Sequence, residues 1–318
     1  MKNKNQSLIP FLLPASKRSN SAFFDEYKFL TNWETVEYDG WVLPATGDAH
    51  DWCGLWRSVG CLNTEKHKQL GFGDVVFIKQ YQRSCFRPVC KICYEKWLGR
   101  QASRSEARIH KYSEQTGRIP IHVVLSVSNW DINLPFKEMK KKARKILKEI
   151  GMTGYAMIFH PFRFYKKSRR WYYSPHFHVV GFGLVEGITN SFYKNHWFIK
   201  DLGVRKSVFH TFYYLLSHCG IKKGFHTLSW AGVLSYSKLK IIDEPEIVKC
   251  PLCNGEFVEI YFDGLDPPIK QDQYFIGQLN SDGWHIVQTM SEDELDASCR
   301  YEFAPTRELN EILKNLVN

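Results

Sequence analysis

Between residues 119 and 242 short apolar runs alternate with amphipathic stretches. IHVVLSVSN (121–129) is a strongly apolar run closed by Asn and predicts a buried strand. FKEMKKKARKILKEIG (136–151) places apolar residues at helical spacing and ends on Gly151, a stop signal. GYAMIFHPFRFY (154–165) and WYYSPHFHVVGFG (171–183) predict a second and a third strand, joined by the basic turn KKSRR. HWFIKDLG (196–203) is a candidate fourth strand and HTLSWAGVLSYS (226–237) a fifth. Between them, VRKSVFHTFYYLLSHCG (204–220) predicts a helix with a Cys-Gly stop. The order implies an α+β domain, a mostly antiparallel sheet with helices on one face, of the split-βαβ type.

Upstream lies a Cys-rich segment, 21–115, that ends in a basic helix, CYEKWLGRQASRSEARIHKY. Residues 1–20 read as a flexible basic arm, because their apolar patch is short and broken by prolines. With the strand-and-helix domain at 116–242, this leaves 243–318 as an acidic C-terminal region with a C-x2-C and a final helix near 306–317. No apolar run is long enough to span a membrane. The expected location is the cytoplasm of a prokaryotic, preferably archaeal, host, where an odd cysteine count suits metal binding better than disulfides.

Charge sharpens this division. From Asp243 onward there are 16 acidic and 5 basic residues, a net of −11, whereas the first 242 residues hold 38 basic and 17 acidic, a net of +21. A basic body of this kind suits a polyanionic partner.

The chemistry-bearing residues begin with His176-Phe177-His178 on the third predicted strand. Side chains alternate across a strand, so both histidines project from one face, about 7 Å apart at the backbone, and can converge on a divalent cation. In the following helix, Tyr214 and His218 are four residues apart and share a face. A tyrosine beside a metal is a competent nucleophile toward a phosphodiester. Tyr213, flanked by Phe209, Phe212 and Leu216, reads as core packing and is the alternate nucleophile.

PHFHVVGFG followed by YYLLSHCGI, after the apolar strand IHVVLSVSN, resembles the HUH superfamily of endonucleases over about 120 residues. The resemblance is to rolling-circle replication initiators of archaeal plasmids and viruses. It implies Mg²⁺- or Mn²⁺-dependent nicking of single-stranded or hairpin origin DNA, with a free 3′-OH and a 5′-phosphotyrosine as products. It also implies later rejoining. His218 stands where many initiators carry a Lys, and is the expected third metal ligand; His226 is the alternate. If His226 binds the metal, His218 is left as a proton carrier.

Cys85, Cys90 and Cys93 form a C-x2-C arrangement that suits a structural zinc fastening the basic helix, with Cys61 as the fourth ligand and Cys53 or His67 as substitutes. Cys250 and Cys253 resemble half of a zinc ribbon and are candidates for a second zinc, alone or with Cys53 and Cys61. For DNA contact the expected residues are Lys166, Lys167, Arg169, Arg170 and Trp171 in the hairpin, and Arg100 and Arg104 on the basic helix. The chain has no P-loop, so unwinding falls to a separate helicase of the host replication machinery. A transposase or mobilisation relaxase would use the same chemistry. A zinc-containing DNA-binding regulator without catalysis would fit the charge and cysteines but leave His176, His178 and Tyr214 unexplained.

Overall fold

The computed structural model describes residues 33–241, 249–262, 273–277 and 284–286. Its elements, in chain order, are β1 (Glu37–Tyr38), β2 (Trp41–Val42), β3 (Trp56–Cys61), α1 (Thr64–Gln69), β4 (Val76–Gln82), α2 (Tyr94–Thr116), β5 (Ile121–Ser126), α3 (Phe136–Glu149), β6 (Met152–Tyr165), β7 (Arg170–Gly183), α4 (Ile188–Asn195), β8 (Phe198–Val204), α5 (Val208–Ser217), β9 (Leu228–Gly232), β10 (Val258–Phe262), β11 (Gln273–Gly277) and β12 (Trp284–Ile286). The chain is α+β with antiparallel sheets. The arm at 1–20 and the final helix near 306–317 lie outside the described residues.

These elements form two compact units, each discontinuous in sequence. Unit 1 takes the chain up to Asp48 and from Phe86 to the end of the β9 region; unit 2 takes Ala49–Cys85 and the described residues from Lys249 on. The compact units divide after Asp48, after Cys85 and after Asp243, so the boundary expected at 242/243 falls one residue from the last division and none falls at 115/116. Helix α2 belongs with the histidine-bearing sheet, and the segment containing Cys250 belongs with β3 and β4.

In unit 1 the sheet runs β8-β5-β7-β6-β9. Its centre is the β6–β7 hairpin, whose inner residues are shielded on both faces. One face carries Met157, Phe159 and Phe177, and α3 covers it, with the Phe136 ring 4.8 Å from Phe159 and 6.2 Å from Phe177. The other face carries Ala156, His178 and Phe182, and α2 and α5 cover it, with Tyr112 4.8 Å from Phe182 and Phe212 5.9 Å from Trp230. Helices thus lie on both faces, not on one. The reason is that both faces of β6 and β7 are apolar outside the histidines, and each needs a cover.

Local signals set the element ends. Helix α2 stops at Gly117, which adopts φ 67° and donates to the Ser113 carbonyl. After α3, Gly151 takes φ 86°, and a Cβ there would collide with the Leu184 carbonyl. Helix α5 begins at Val208 rather than at 204, and its first-turn Phe209 N–H is capped from another element by Glu106 Oε1 at 3.3 Å. The turn after β5 is tied down by Asp131, whose Oδ2 accepts from Lys142 Nζ and Trp197 Nε1, both at 2.6 Å. Burial pushes the Asp131 carboxyl up, but these donors outweigh it and hold it below the usual carboxylate range.

Candidate metal centre

His176 and His178 sit two apart on β7, as alternation requires, with Phe177 turned into the α3-covered face. Register brings a third imidazole between them. His160 on β6 is the direct cross-strand partner of His176, and its ring lies 5.2 Å from His176 and 4.5 Å from His178. One donor atom from each of the three lies within 4.8 Å of the others. His160 is completely buried, and neither of its ring nitrogens has a hydrogen bond of ordinary geometry. With only a weak contact to the Leu215 carbonyl, these buried nitrogens cost free energy unless something binds there.

His160 was not among the expected ligands, and a register shift explains why. The tip of the β6–β7 hairpin pairs Tyr165 with Arg170 and Phe162 with Tyr173. Continued unchanged, that register would set His160 opposite Pro175, on the Phe177 face. An extra residue on β7, at Ser174–Pro175 opposite Pro161, shifts the pairing by one residue and sets His160 opposite His176, on the face of His176 and His178. Proline in mid-strand is the one sequence signal of that bulge.

The surrounding hydrogen bonds set the tautomers. His176 Nδ1–H donates to the Ser174 carbonyl at 2.8 Å, which leaves the lone pair on Nε2. His178 Nδ1 meets His122 Nε2 at 2.8 Å, and His122 Nδ1 accepts from Arg205 Nε at 3.2 Å. Burial holds all of these rings neutral: His176 falls to about 3 and His122 to about 4, while His160 and His178 drop well below the usual imidazole range. Beyond burial, the neighbouring histidines lower His160 and His178 further, and the Arg163 guanidinium lowers His176. Neutral imidazoles are the form that ligates metal. Arg163, which donates to Ser126 Oγ at 2.7 Å, adds a cation that acts on His176 and His178.

His218, expected as the third ligand, caps the C-terminus of α5 and is not one of the three converging groups. Its ring stands edge-on to His160 at 4.6 Å and to Tyr214 at 4.7 Å, so it links the histidine cluster to the tyrosine. Ser217 Oγ donates to the Tyr214 carbonyl, so its contact with His218 Nδ1 at 3.2 Å is one in which the imidazole donates; the lone pair then sits on Nε2. Burial lowers His218 to about 4. The alternate, His226, is excluded by position. It lines a cleft with Met157, Phe159 and Phe177, on the opposite face of the sheet.

The two tyrosines diverge as adjacent helical residues must. Tyr213 packs 5.8 Å from Phe209 on the core side, near the buried Tyr94. Tyr214 is 38% exposed.

Of the expected DNA-contacting residues, Lys166, Lys167, Arg169 and Arg170 are exposed at the hairpin tip, between the half-exposed rings of Tyr165 and Tyr172. Trp171 is not available for stacking: it is buried 5.3 Å from both Trp33 and Phe164. Arg100 and Arg104 are partly buried on α2, and Arg100 lies over the Phe86 ring at 4.6 Å.

The cysteines group differently from the expectation. In unit 2 the thiols of Cys53 and Cys85 lie within 4.8 Å of each other, and in unit 1 those of Cys90 and Cys93 do the same. Each pair is half of a thiolate set able to hold a metal ion such as zinc. Cys61, expected beside Cys85, stands instead with His67, Cys250 and Cys253 in unit 2. Cys53, named as a substitute, is the residue beside Cys85. The cause is β3 itself, which runs between Cys53 and Cys61 and holds them at opposite ends of an extended strand.

Among the described residues no helix is long and apolar enough to cross a membrane. No protein-family model, curated protein or solved structure matches this chain.

Proposed function

We propose that this chain is a metal-dependent HUH-type endonuclease that nicks and rejoins single-stranded DNA through Tyr214, and that it acts as a rolling-circle replication initiator. The observation that carries the reading is the convergence of His160, His176 and His178, with a partly exposed tyrosine one imidazole away. The donor set fits a divalent ion: it consists of neutral nitrogen donors, and the ring nitrogens of His160 lack hydrogen bonds of ordinary geometry. Three imidazoles favour a first-row transition ion such as Mn²⁺ over Mg²⁺, which prefers oxygen. Bound there, the ion would supply Lewis acidity toward the scissile phosphate.

The protein's own groups do the rest. Arg163 supplies fixed positive charge for the phosphate. Tyr214 Oη attacks phosphorus, the P–O3′ bond breaks, and a 5′-phosphotyrosine forms. The phenol proton passes to the neutral His218 imidazole, and the departing 3′ oxygen takes a proton from solvent. The exposed basic tip of the β6–β7 hairpin, with Tyr165 and Tyr172, guides the strand toward the site. Origin selection would require base contacts beyond these phosphate contacts. A separate helicase and the host replication machinery would extend the 3′-OH, in the cytoplasm of a prokaryotic cell.

The test is incubation of the protein with end-labelled single-stranded DNA from its own replicon, with Mn²⁺ or EDTA. A metal-dependent covalent adduct that disappears in Tyr214→Phe supports the reading. An adduct that survives in Tyr214→Phe and is lost in Tyr213→Phe moves the nucleophile by one residue. Tight DNA binding with no adduct on any origin fragment overturns the enzyme and favours a non-catalytic regulator.

A further inference from the structure

Unit 2 contains a second cluster of donors that the proposed nicking chemistry does not use. Cys61 ends β3, His67 lies within α1, and Cys250 and Cys253 occupy the loop before β10. In sequence the two halves are far apart: His67 and Cys250 are separated by 183 residues, and Cys61 and Cys253 by 192. In space they meet. Cys61 Sγ is 3.6 Å from Cys253 Sγ, and His67 Nε2 is 3.1 Å from Cys253 Sγ and 3.3 Å from Cys250 Sγ. Disulfide bonds are absent among them, since all three cysteines are free.

We infer that Cys61, His67, Cys250 and Cys253 hold a structural Zn²⁺ that fastens the returning chain to β3 and so makes the folding of unit 2 metal-dependent.

Three features support this. The spacings are those of one tetrahedral ion. With Zn–S about 2.3 Å and Zn–N about 2.0–2.1 Å, sulfurs should stand about 3.8 Å apart and nitrogen about 3.6 Å from sulfur. The observed distances are a few tenths of an ångström inside those values.

The imidazole is also aimed. His67 is completely buried, and its Nδ1–H donates to the Val75 carbonyl at 2.7 Å, so the Nε2 lone pair faces the sulfurs. This is the outer-shell arrangement that orients a ligating histidine. The backbone around the two late cysteines is shaped to match. Asn254 takes φ 58° and donates to the Cys250 carbonyl, Cys250 N–H donates to the Gly255 carbonyl, and a Cβ on Gly255 would sit 3.1 Å from Cys253 Sγ and 3.2 Å from Cys61 Sγ.

The third feature is the core that remains without the ion. Among the described residues, one buried cluster of unit 2 comprises Phe77, Leu252 and three of the ligands themselves, Cys61, Cys250 and Cys253, while Val76, Ile78 and Ile260 are buried on the adjoining strands. The part of the core that joins the returning segment to β3 is therefore built largely from the ligands, and an ion among them acts as its staple. Immediately after the ligand loop, β10 pairs with β3, Val258 against Gly60. The ion would therefore fix the register of the strand that joins the two chain segments.

The experiment measures zinc per molecule in the purified full chain, then repeats it for Cys253→Ser, His67→Ala and His67→Cys, with His160→Ala as a control for the histidine cluster. The expected result is the loss of one zinc equivalent in Cys253→Ser and His67→Ala, and its retention in His67→Cys and His160→Ala. Hydrogen exchange at 249–262 should accelerate at least tenfold in Cys253→Ser, while exchange in β5 and β7 stays unchanged. Cobalt loaded into metal-free protein should show sulfur-to-cobalt charge transfer that weakens in Cys253→Ser. Unchanged zinc content in both Cys253→Ser and His67→Ala would overturn the site. Failure of His67→Cys to hold the ion while remaining folded would also overturn it. Because none of these readouts is DNA cleavage, an inactive nickase would leave this result standing.

Discussion

The most informative single substitution is His160→Leu, because ligand and packing roles predict opposite signs. In the metal-free protein both ring nitrogens of His160 are buried without good hydrogen bonds. Each such group costs about 1–3 kcal/mol. Leucine fills a similar volume without a polar atom, so the metal-free variant should be more stable than the parent by about 1–3 kcal/mol. For a domain of this size that corresponds to a rise in Tm of about 2–4 °C per kcal/mol. Adding Mn²⁺ should reverse the order. At about a hundred times Kd a bound ion stabilises the parent by about 2.7 kcal/mol, whereas a site reduced to His176 and His178 gains little. The assay is thermal unfolding of parent and variant in EDTA and over a Mn²⁺ titration, followed by circular dichroism. Two crossing responses are expected. A variant that melts lower in EDTA and keeps the full Mn²⁺ shift would show that His160 is a packing residue, and the metal-centre argument would fail.

Other consequences follow from the same geometry. Arg205 Nε donates to His122 Nδ1, which obliges His122 to donate to His178 Nδ1 and leaves the His178 proton on the nitrogen a metal would need. Arg205→Ala should therefore raise Mn²⁺ affinity, by about fivefold for one hydrogen bond of about 1 kcal/mol; calorimetric titration showing weaker binding would contradict this. The buried His122, His176 and His218 have values lowered to about 4, 3 and 4. The unfolded chain, with ordinary imidazoles near 6.5, binds protons first as pH falls, so metal-free stability should decline from about pH 6.5 through pH 4 and keep falling below it. The fall continues because His176, His160 and His178 take up protons only at lower pH in the folded chain. Each group adds a slope of up to about 1.4 kcal/mol per pH unit, and urea midpoints that stay flat over that range would refute the assignment. Replacing Lys166, Lys167, Arg169 and Arg170 with Gln should weaken single-strand binding and flatten the salt dependence, by about 0.7 in log–log slope for each phosphate that is no longer neutralised. An unchanged slope would remove the hairpin tip from the DNA surface.

The pattern of apolar positions was enough to locate β5, β7, α2 and α3 to within a few residues, because each buries a continuous face and the period of that face is written in the sequence. Alternation alone also put His176 and His178 on one side of a strand and separated Tyr213 from Tyr214 around a helix. Helix α4 escaped notice: ITNSFYKN is short and its amphipathic signal is weak.

Long-range pairing was beyond the sequence. Whether His160 joins the histidine cluster depends on a single extra residue in β7, at Ser174–Pro175, which shifts the pairing of everything beyond it by one. Whether Cys61 meets Cys85 or Cys253 depends on a chain that leaves unit 2 and returns more than 150 residues later. Local spacing constrains neighbours within a few residues, and so it singled out histidines and cysteines as candidate donors. Which of them share an ion is set by strand register and chain return, and those exist only once the tertiary fold has formed.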